Sequence, residues 1–251
     1  MSIYRLPKAL WFPPVDEAED GLLAVGGDLS PERLLLAYRS GIFPWYSRGE
    51  PILWWSPDPR AVLFPGEFHC SRSLAKEIRR GGFSVTMDTA FPQVIQSCAK
   101  APRKHEAGTW IVPQMQAAYI QMHELGYAHS IETWREGQLV GGLYGMCLGG
   151  MFFGESKFSS TADASKIALA ALVAHCPVWG LALIDSQVAN PHMLSLGARD
   201  ITRTEYLCHL ARLLEGERPP GKWTVVPGLL ENAFGGPATT PEAGTDEEPN
   251  P

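Results

Sequence analysis

The chain has 251 residues, of which 45% are hydrophobic and 19% are charged. That supply of apolar side chains suffices for one large domain or two smaller ones, and it excludes disorder as the main state. The formal net charge of -6, taken as a total, argues against a nucleic-acid partner. However, residues 231–251 hold five acidic residues and no Lys or Arg. The rest of the chain is therefore nearly neutral and has room for a local basic face.

The cysteines and the apolar segments bear on the compartment. The five cysteines are odd in number, scattered and never spaced as CxxC, which favours a reducing compartment over a disulfide framework. The N-terminus is interrupted by prolines and charges, and no stretch approaches the roughly 18 uncharged apolar residues of a membrane span. We therefore expect a soluble, cytoplasmic protein without a membrane partner.

The first sixty residues are dense in Pro, Trp and Gly. They predict a small N-terminal domain, residues 1–60, that needs a larger partner to pack against. One helix is predicted in it, with Ser30 as the N-cap, Pro31 at the first helical position and Gly41 after its end. We expect the remainder of this domain to consist of loops and short strands.

Residues 61–230 follow the pattern of an α/β domain. Helices are predicted over 71–81, with Ser71 or Ser73 as the N-cap, and over 113–125. Each of these helices ends at or just before a glycine, the usual residue after a helix C-terminus.

Three strand signals separated by short Gly-containing turns predict an antiparallel meander over residues 129–136, 138–147 and 150–158. A helix over 163–175 then leads to the apolar run LALIDSQV, residues 181–188, which is typical of a buried strand. A last helix is predicted over 204–214, and a disordered acidic tail over 231–251.

Two polar side chains interrupt the apolar run. Asp185 and Gln187 are two residues apart on the predicted strand, so we expect them to project to one side while Ile184 and Ser186 face the other. A buried carboxylate needs a partner or a task, because burying an unpaired charge is costly. A structural Asp that pairs with Arg or Lys, or caps a loop, is the simplest interpretation.

Glu155, at the end of the third meander strand, is expected at a comparable depth. Together with Asp185 it could form the carboxylate pair of a glycosidase, and with Asp185 and His192 it could form a metal site. No second motif supports the glycosidase, and no ligand spacing supports the metal. The GxSxG motif of a serine nucleophile is also absent.

Loop tryptophans and one basic run complete the candidate residues. A tryptophan in a Gly- or Pro-flanked segment offers a face on which a base stacks, and equally fills a seam between domains; this group is Trp45, Trp54, Trp55 and Trp110. The basic run suits phosphate contacts and equally forms a solvated helix face; it comprises Arg72, Lys76, Arg79 and Arg80.

Taken together, these segments resemble the leucyl/phenylalanyl-tRNA-protein transferases of bacteria. The matching strings include GLLAVGGDLSPERLLLAYRSGIFPWYS, PILWWSPDPRAVLFP, HELGYAHSIETW, FFGESKFS and LIDSQV. They run in the family's order from about residue 12 to about residue 226, nearly without gaps.

The resemblance implies an α/β (α+β) fold, in which a main domain like that of the GNAT acyltransferases lies beside the small N-terminal domain. It implies transfer of leucine or phenylalanine, and less well methionine, from aminoacyl-tRNA to the N-terminal Arg or Lys of proteins. The product carries an N-end rule degradation signal. No cofactor or metal is implied. The segment SKFSSTADASK lacks the pyrophosphate loop of acyl-CoA enzymes, which favours an aminoacyl-tRNA donor.

The resemblance also implies roles for individual residues. Asp185 and Gln187 match the family's DxQ motif and are implied as the catalytic centre, joined by Glu155 of the GES motif. Trp45 and Trp110 match the tryptophans that hold the terminal adenosine of the tRNA.

The donor side chain is expected in an apolar pocket lined by Leu143, Leu172, Ile184 and Ser186. Arg72 and Lys76 match basic positions that contact the acceptor stem. Two residues depart from the family pattern: Lys157 stands where Met is expected in GESMF, and Leu172 stands where Phe is expected. With these two departures, the exact shape of the pocket and the preference between Phe and Leu stay open.

Two other classes of function stay open at this point. One is a non-catalytic RNA-binding or adaptor protein on the same scaffold, which needs none of the polar residues Asp185, Gln187 and Glu155. The other is an acyl-CoA N-acetyltransferase, which the missing pyrophosphate loop disfavours.

Overall fold

The computed structural model describes residues 3–101, 109–216 and 221–236. A small sheet near the N-terminus has the order β1-β2-β4-β3, formed by β1 (Tyr4–Leu6), β2 (Leu22–Gly26), β3 (Phe43–Pro44) and β4 (Leu53–Trp55). Helix α1 (Pro31–Arg39) joins β2 to β3 and begins directly after Ser30, as predicted.

The main sheet has seven strands in the order β11-β5-β10-β9-β8-β7-β6. They are β5 (Arg60–Leu63), β6 (Ser84–Met87), β7 (Ala128–Arg135), β8 (Gln138–Leu148), β9 (Met151–Ser159), β10 (Leu183–Gln187) and β11 (Arg199–Ile201). Helices α2 to α7 are, in order, Arg72–Arg80, Phe91–Lys100, Pro113–Glu124, Ala164–Trp179, Pro191–Ser195 and Arg203–Leu214. The mixed α/β class predicted from the sequence is confirmed.

The predicted meander is present, since β7 pairs antiparallel with β8 and β8 with β9. Helix α5 then crosses over, and β10 returns parallel to β9. This order of an antiparallel meander, a helix and a buried strand is the one predicted from the sequence. The short α6 and β11 were not predicted from the sequence, because each is only a few residues long.

The two faces of the main sheet carry different cores. One core joins α3 and α4 to α1 and the small sheet, and it includes the buried Trp54, Tyr38 and Phe153. The other core lies under α2 and α5, with Leu74 and Leu172 among its members. The small N-terminal sheet therefore buries its apolar residues against the main sheet, as expected for a region with few apolar residues of its own.

Local sequence signals explain the helix ends. The Ser71 hydroxyl accepts a hydrogen bond from the Leu74 backbone N–H, and Gly81 adopts the left-handed conformation after the last turn of α2. Helix α5 runs on to Trp179, past its predicted end at residue 175, with Pro177 in its last turn, and Gly180 then adopts the left-handed conformation. A Cβ at Gly141 would lie 2.5 Å from that of Ala164, so glycine there lets α5 approach β8.

The C-terminal prediction is wrong in part. Residues Glu231–Gly235 form a π-helical turn instead of a disordered tail, because Phe234 packs on Phe68 with ring centroids 5.3 Å apart. Residues 237–251, where the rest of the predicted acidic tail falls, lie outside the described residues. Within the described ranges, none of the helices combines the length and the apolar character that a bilayer crossing requires.

Candidate active site

A cleft opens in the main sheet where β9 and β10 part. The two strands pair only between Leu183–Asp185 and Met151–Phe153, and β9 then continues to Ser159 paired with β8 but no longer with β10. The cleft has a volume of about 260 Å³. Its lining includes the predicted site residues Trp45, Trp110, Leu143, Glu155, Leu172, Ile184, Ser186 and Gln187. Asp185, Arg72 and Lys76 are the predicted site residues that do not line it.

A β-bulge reorganises the DxQ segment. The register of β10 against β5 shifts between Asp185 and Gln187, and Gln187 has a φ of +62°. The strand alternation predicted from the sequence is therefore wrong here, because a bulge re-aims the side chain that follows it. Gln187 lines the cleft together with Ile184 and Ser186, whereas Asp185 points into the interior.

The carboxylate of Asp185 is fully buried and bonded on both oxygens. Arg60 donates from Nε to Oδ1 at 2.9 Å and from Nη2 to Oδ2 at 2.7 Å. The Tyr206 hydroxyl donates to Oδ2 at 2.8 Å, and the backbone N–H of Gln187 donates to Oδ1 at 2.8 Å. Asp185 therefore holds the backbone of Gln187 in its bulged conformation.

Arg60 extends this network to the N-terminal domain. Its Nη1 donates to the carbonyl of Gly41 at 3.2 Å, and its guanidinium lies over the rings of Phe43 and Tyr206. Burial lowers the pKa of Arg60, but the charge of Asp185 more than offsets this and holds that pKa above its usual value. Arg60 thus holds the segment from Gly41 through β3 to Trp45 in a fixed position against β10.

Glu155 is the buried carboxyl that faces the cleft. The Tyr38 hydroxyl donates to its Oε1 at 2.6 Å, Tyr119 donates to Oε2 at 3.0 Å, and the Gln187 Nε2 donates to Oε1 at 3.1 Å. The two tyrosine hydroxyls also contact each other. Three contacts among these four oxygens need three protons, and two hydroxyls supply two. A proton on Glu155, donated to Tyr38 in place of the bond from that hydroxyl, would free the Tyr38 hydrogen for Tyr119 and supply the third bond.

The electrostatics of Glu155 agree with this proton count. Burial raises the pKa of Glu155, the hydrogen bonds from Tyr38 and Tyr119 lower it, and the charge of Asp185 raises it, so that the pKa lies at about 7. Burial also holds the pKa of each tyrosine well above its usual value, so both remain donors at neutral pH. Glu155 is therefore poised to take up or release a proton near pH 7.

Two tryptophans lie at the cleft. Trp45 is 37% exposed, and its backbone carbonyl accepts a hydrogen bond from the Trp55 indole at 2.7 Å. Trp110 also lines the cleft, close to the start of α4. An exposed indole beside a cavity is suited to stacking on a base or another flat ring.

The inner wall of the cleft is apolar apart from one amine. Leu143, Leu172 and Ile184 meet there as expected, joined by Phe152, Leu169 and Met193, which the sequence did not single out. Lys157, the departure noted in the GES segment, also lines the cleft. A pocket of this composition is suited to an apolar group.

Arg72 and Lys76 lie apart from the cleft lining, on α2. They are four residues apart and both exposed, so they share one face of the helix. Across the described ranges, neither is in an ion pair, whereas Arg80 on the same helix pairs with Glu77. These two residues therefore form an exposed basic face on α2, outside the cleft lining.

Several residues of the site escaped the sequence reasoning. Arg60 was hidden at the start of a short apolar strand, where the only signal was a charge beside the run RAVLF. Tyr38 and Tyr119 occupy apolar positions of α1 and α4, and their hydroxyls meet only in three dimensions. The glycosidase pair fails because Asp185 is committed to Arg60. In the described part of the chain, no three His, Cys, Asp or Glu side chains are placed to hold a metal ion.

The cleft thus brings an apolar pocket, the hydrogen-bonded pair Glu155 and Gln187 and two indoles together on a mixed sheet. The family model described as leucyl/phenylalanyl-tRNA protein transferase matches residues 62–211, and the model of its N-terminal domain matches residues 27–58. The chain therefore belongs to the leucyl/phenylalanyl-tRNA protein transferase family and is an aminoacyltransferase that acts from aminoacyl-tRNA on proteins.

Individual relatives agree along almost the whole chain. The leucyl/phenylalanyl-tRNA-protein transferase of Anaeromyxobacter sp. (strain Fw109-5) is 54% identical, covering 91% of this chain and 97% of the relative. That of Syntrophotalea carbinolica is 58% identical, covering 82% and 90%. Among solved structures, L-PGS from Bacillus licheniformis is 14% identical with a TM-score of 0.37, covering 64% of this chain and 52% of that one.

Proposed function

We propose that this enzyme transfers leucine or phenylalanine, and less well methionine, from aminoacyl-tRNA to the N-terminal Arg or Lys of proteins. The single observation that carries the proposal is the shared cleft, in which an apolar pocket, two indoles and the Glu155–Gln187 pair adjoin one another. The new N-terminal residue is proposed to act as an N-end rule degradation signal. We place the reaction in the cytoplasm, where aminoacyl-tRNA is made.

The donor end of the tRNA is proposed to lie in the cleft. Trp45 and Trp110 hold the terminal adenosine by stacking, which is worth about 1 to 3 kcal/mol per base. The side chain of the donor amino acid enters the apolar pocket whose wall is formed by Leu143, Leu172 and Ile184. Donor side chains that are branched at Cβ clash with this wall. One methylene group changes the binding free energy in such a pocket by about 1 to 3 kcal/mol.

The aminoacyl ester is already activated, so the enzyme mainly has to position two substrates and stabilise charge. The uncharged acceptor α-amine attacks the ester carbonyl and forms the new C–N bond. The tetrahedral oxyanion then collapses, the bond to the 3′ oxygen of the adenosine breaks, and the amine's proton ends on that oxygen. Gln187 supports this step, because one Nε2 hydrogen binds Glu155 and the other is available to the reacting carbonyl.

Glu155 is proposed as the group that attracts the acceptor ammonium and takes its proton. A free α-amino group has an ordinary pKa of about 8, and the pKa of Glu155 is about 7. Two groups with such close pKa values exchange a proton at little cost at neutral pH. The tyrosine hydroxyls around Glu155 stabilise both of its protonation states.

Asp185 is proposed as a positioning residue, which revises the direct role implied by the sequence. Both of its oxygens are bonded to Arg60, Tyr206 and the Gln187 backbone, so neither is free for the acceptor amine. Its contribution is to set the bulge that aims Gln187 into the cleft. Arg72 and Lys76 are proposed to contact acceptor-stem phosphates, where basic residues give affinity without sequence selectivity.

A transfer assay tests this proposal against the two other classes. Labelled leucyl-tRNA is incubated with the protein and a model substrate that has an N-terminal Arg, with and without RNase, and acetyl-CoA is offered in parallel. Label transferred to the substrate, and abolished by RNase, supports the proposal. Binding of tRNA without transfer indicates an adaptor, and acylation only from acetyl-CoA indicates an N-acetyltransferase.

A further inference from the structure

Lys157 places an amino group in an otherwise apolar part of the cleft. It lies on β9, in register with Leu143 on β8. The cleft lining around it includes Leu169, Leu172 and Met193. Its Nζ lies 3.0 Å from the Sδ of Met193, and a thioether is a weak acceptor.

The amino group of Lys157 lacks an anionic partner in the part of the chain that the structure describes. The nearby titratable groups are instead of like charge or neutral. Burial, followed by the charges of Lys157 and Lys166, lowers the pKa of His192. Cys98 is close enough to Lys157 to interact with it electrostatically. Lys166 itself is bonded to Asp163 at 2.8 Å, so it does not compete for a ligand in the cleft.

Burial lowers the pKa of Lys157 to about 8, so most of the molecules carry the cation at pH 7. A cation enclosed by apolar groups is costly unless an acceptor satisfies it. A hydrocarbon side chain bound in the cleft leaves Nζ with the Met193 sulfur alone. A side chain with an acceptor near its end supplies a second partner.

We infer that Lys157 is a specificity-determining residue that favours donor amino acids whose unbranched side chain carries an ether, thioether or similar acceptor. The inference rests on the proposed function, because it assumes that the donor side chain lies in this cleft. It adds a polar selection to a pocket that otherwise selects by size and shape.

Three donors of matched length isolate this effect: norleucine, methionine and methoxinine, which have a methylene, a sulfur and an oxygen at the same position. Each is loaded onto the same tRNA, and kcat/KM for transfer to an N-terminal Arg substrate is measured at pH 7. The wild type is compared with Lys157→Met. Lys166→Met is the matched control, since it removes a lysine from the adjoining helix α5 but not from the cleft lining.

The ratio of methoxinine to norleucine should fall roughly tenfold in Lys157→Met, the factor expected for one hydrogen bond to a charged group. It should stay unchanged in Lys166→Met. An equal ratio in the wild type and Lys157→Met overturns the inference while leaving the proposed function intact. If the wild type transfers neither the three test amino acids nor leucine from their tRNAs, the proposed function itself fails.

Lys157→Met needs a check that the variant is folded, so binding supplies a second readout. Non-hydrolysable adenosine amides of norleucine and methoxinine are titrated into the wild type. Tighter binding of the methoxinine amide at pH 7, with the difference lost at pH 10 where Nζ is neutral, supports the inference. Equal affinities at both pH values contradict it. The titratable neighbours that bear on this profile are His192, Lys166 and Cys98.

Discussion

Asp185 and Arg60 form a buried, two-pronged ion pair that joins β10 to β5, with N–O distances of 2.9 and 2.7 Å. Only 0% and 1% of the two side chains is exposed. The pair keeps the carboxylate of the DxQ segment out of the cleft and puts the amide of Gln187 into it. The geometry of one strand thus separates a residue that positions from a residue that reaches the substrates.

Removal of Arg60 tests the structural part of this relationship. Arg60→Leu leaves the Asp185 charge buried and unpaired, and it should lower the free energy of unfolding by about 3 to 5 kcal/mol in urea denaturation. Arg199→Leu breaks an exposed pair with Glu67 and should cost less than about 1 kcal/mol. Equal costs for the two variants contradict the buried-pair account.

Gln187 is expected to lower the stability of the fold while it supports turnover. Its φ of +62° is strained for a residue with a Cβ, so Gln187→Gly should raise the free energy of unfolding by about 1 kcal/mol while turnover falls roughly 100-fold. Glu136→Gly relieves a similar φ of 52° in the exposed turn between β7 and β8. This control should gain the same stability with turnover unchanged. A Gln187→Gly enzyme with normal turnover would remove Gln187 from the reaction.

The pH dependence of transfer reports on Glu155. With a pKa of about 7, its basic form accumulates as the pH rises through 7, so kcat/KM should rise through an apparent pKa near 7. Glu155→Gln should lose this limb, and only the limb of the acceptor amine near about pH 8 should remain. An unchanged limb near 7 in Glu155→Gln excludes Glu155 as the proton acceptor.

The same shift has a consequence for stability. The pKa of Glu155 is raised on folding from 4.5 to about 7, so the folded state favours the protonated form. Its contribution is present below pH 4.5 and is lost as the pH rises through 7. In thermal unfolding, Glu155→Gln should therefore gain stability relative to the wild type between pH 5 and pH 8. A difference between the two proteins that does not vary with pH contradicts the raised pKa.

The tryptophans at the cleft should matter for the donor rather than for the acceptor. Trp110→Ala removes one stacking surface, which should weaken binding of aminoacyl-tRNA by about 5- to 100-fold. The KM for the acceptor peptide should stay the same. Trp11→Ala is the control, because Trp11 is 44% exposed and does not line the cleft. The account is wrong on this point if both variants bind the donor alike.

Salt dependence tests the basic face of α2. In Arg72→Gln/Lys76→Gln, the slope of log K against log salt for tRNA binding should become shallower by about 1.4 to 1.8, which is two phosphate contacts. Arg212→Gln, an exposed charge on α7, should leave the slope unchanged. A slope that is equally steep in the double variant removes α2 from the tRNA contact.

Much of this architecture follows from local sequence rules. The meander, the crossover helix α5 and the buried strand β10 were predicted because their apolar periodicity and glycine turns act over short distances. Residues of the cleft lining such as Trp45 and Ile184 were predicted from the resemblance to the family. Both kinds of signal are visible one segment at a time.

What escaped prediction depends on three-dimensional contacts. The bulge at Gln187 interrupts the alternation of side-chain direction along the strand. The sequence DSQ contains no residue type that indicates a positive φ. Arg60 lies 125 residues from Asp185 in the chain. A single sequence therefore does not reveal which basic residue forms an ion pair with that carboxylate. The hydrogen-bonded cluster of Tyr38, Tyr119 and Glu155 likewise forms only because three elements meet.

A structure with a non-hydrolysable phenylalanyl-adenosine amide bound tests the central claim most directly. The measured quantity is the distance from the amide carbonyl carbon of the ligand to the Nε2 of Gln187 and to the carboxyl of Glu155. The account predicts that both lie within reach of the carbonyl or of an attacking amine, with adenine against Trp45 or Trp110 and the phenyl ring beside Leu172. A ligand seated elsewhere, or a carbonyl remote from both side chains, contradicts it.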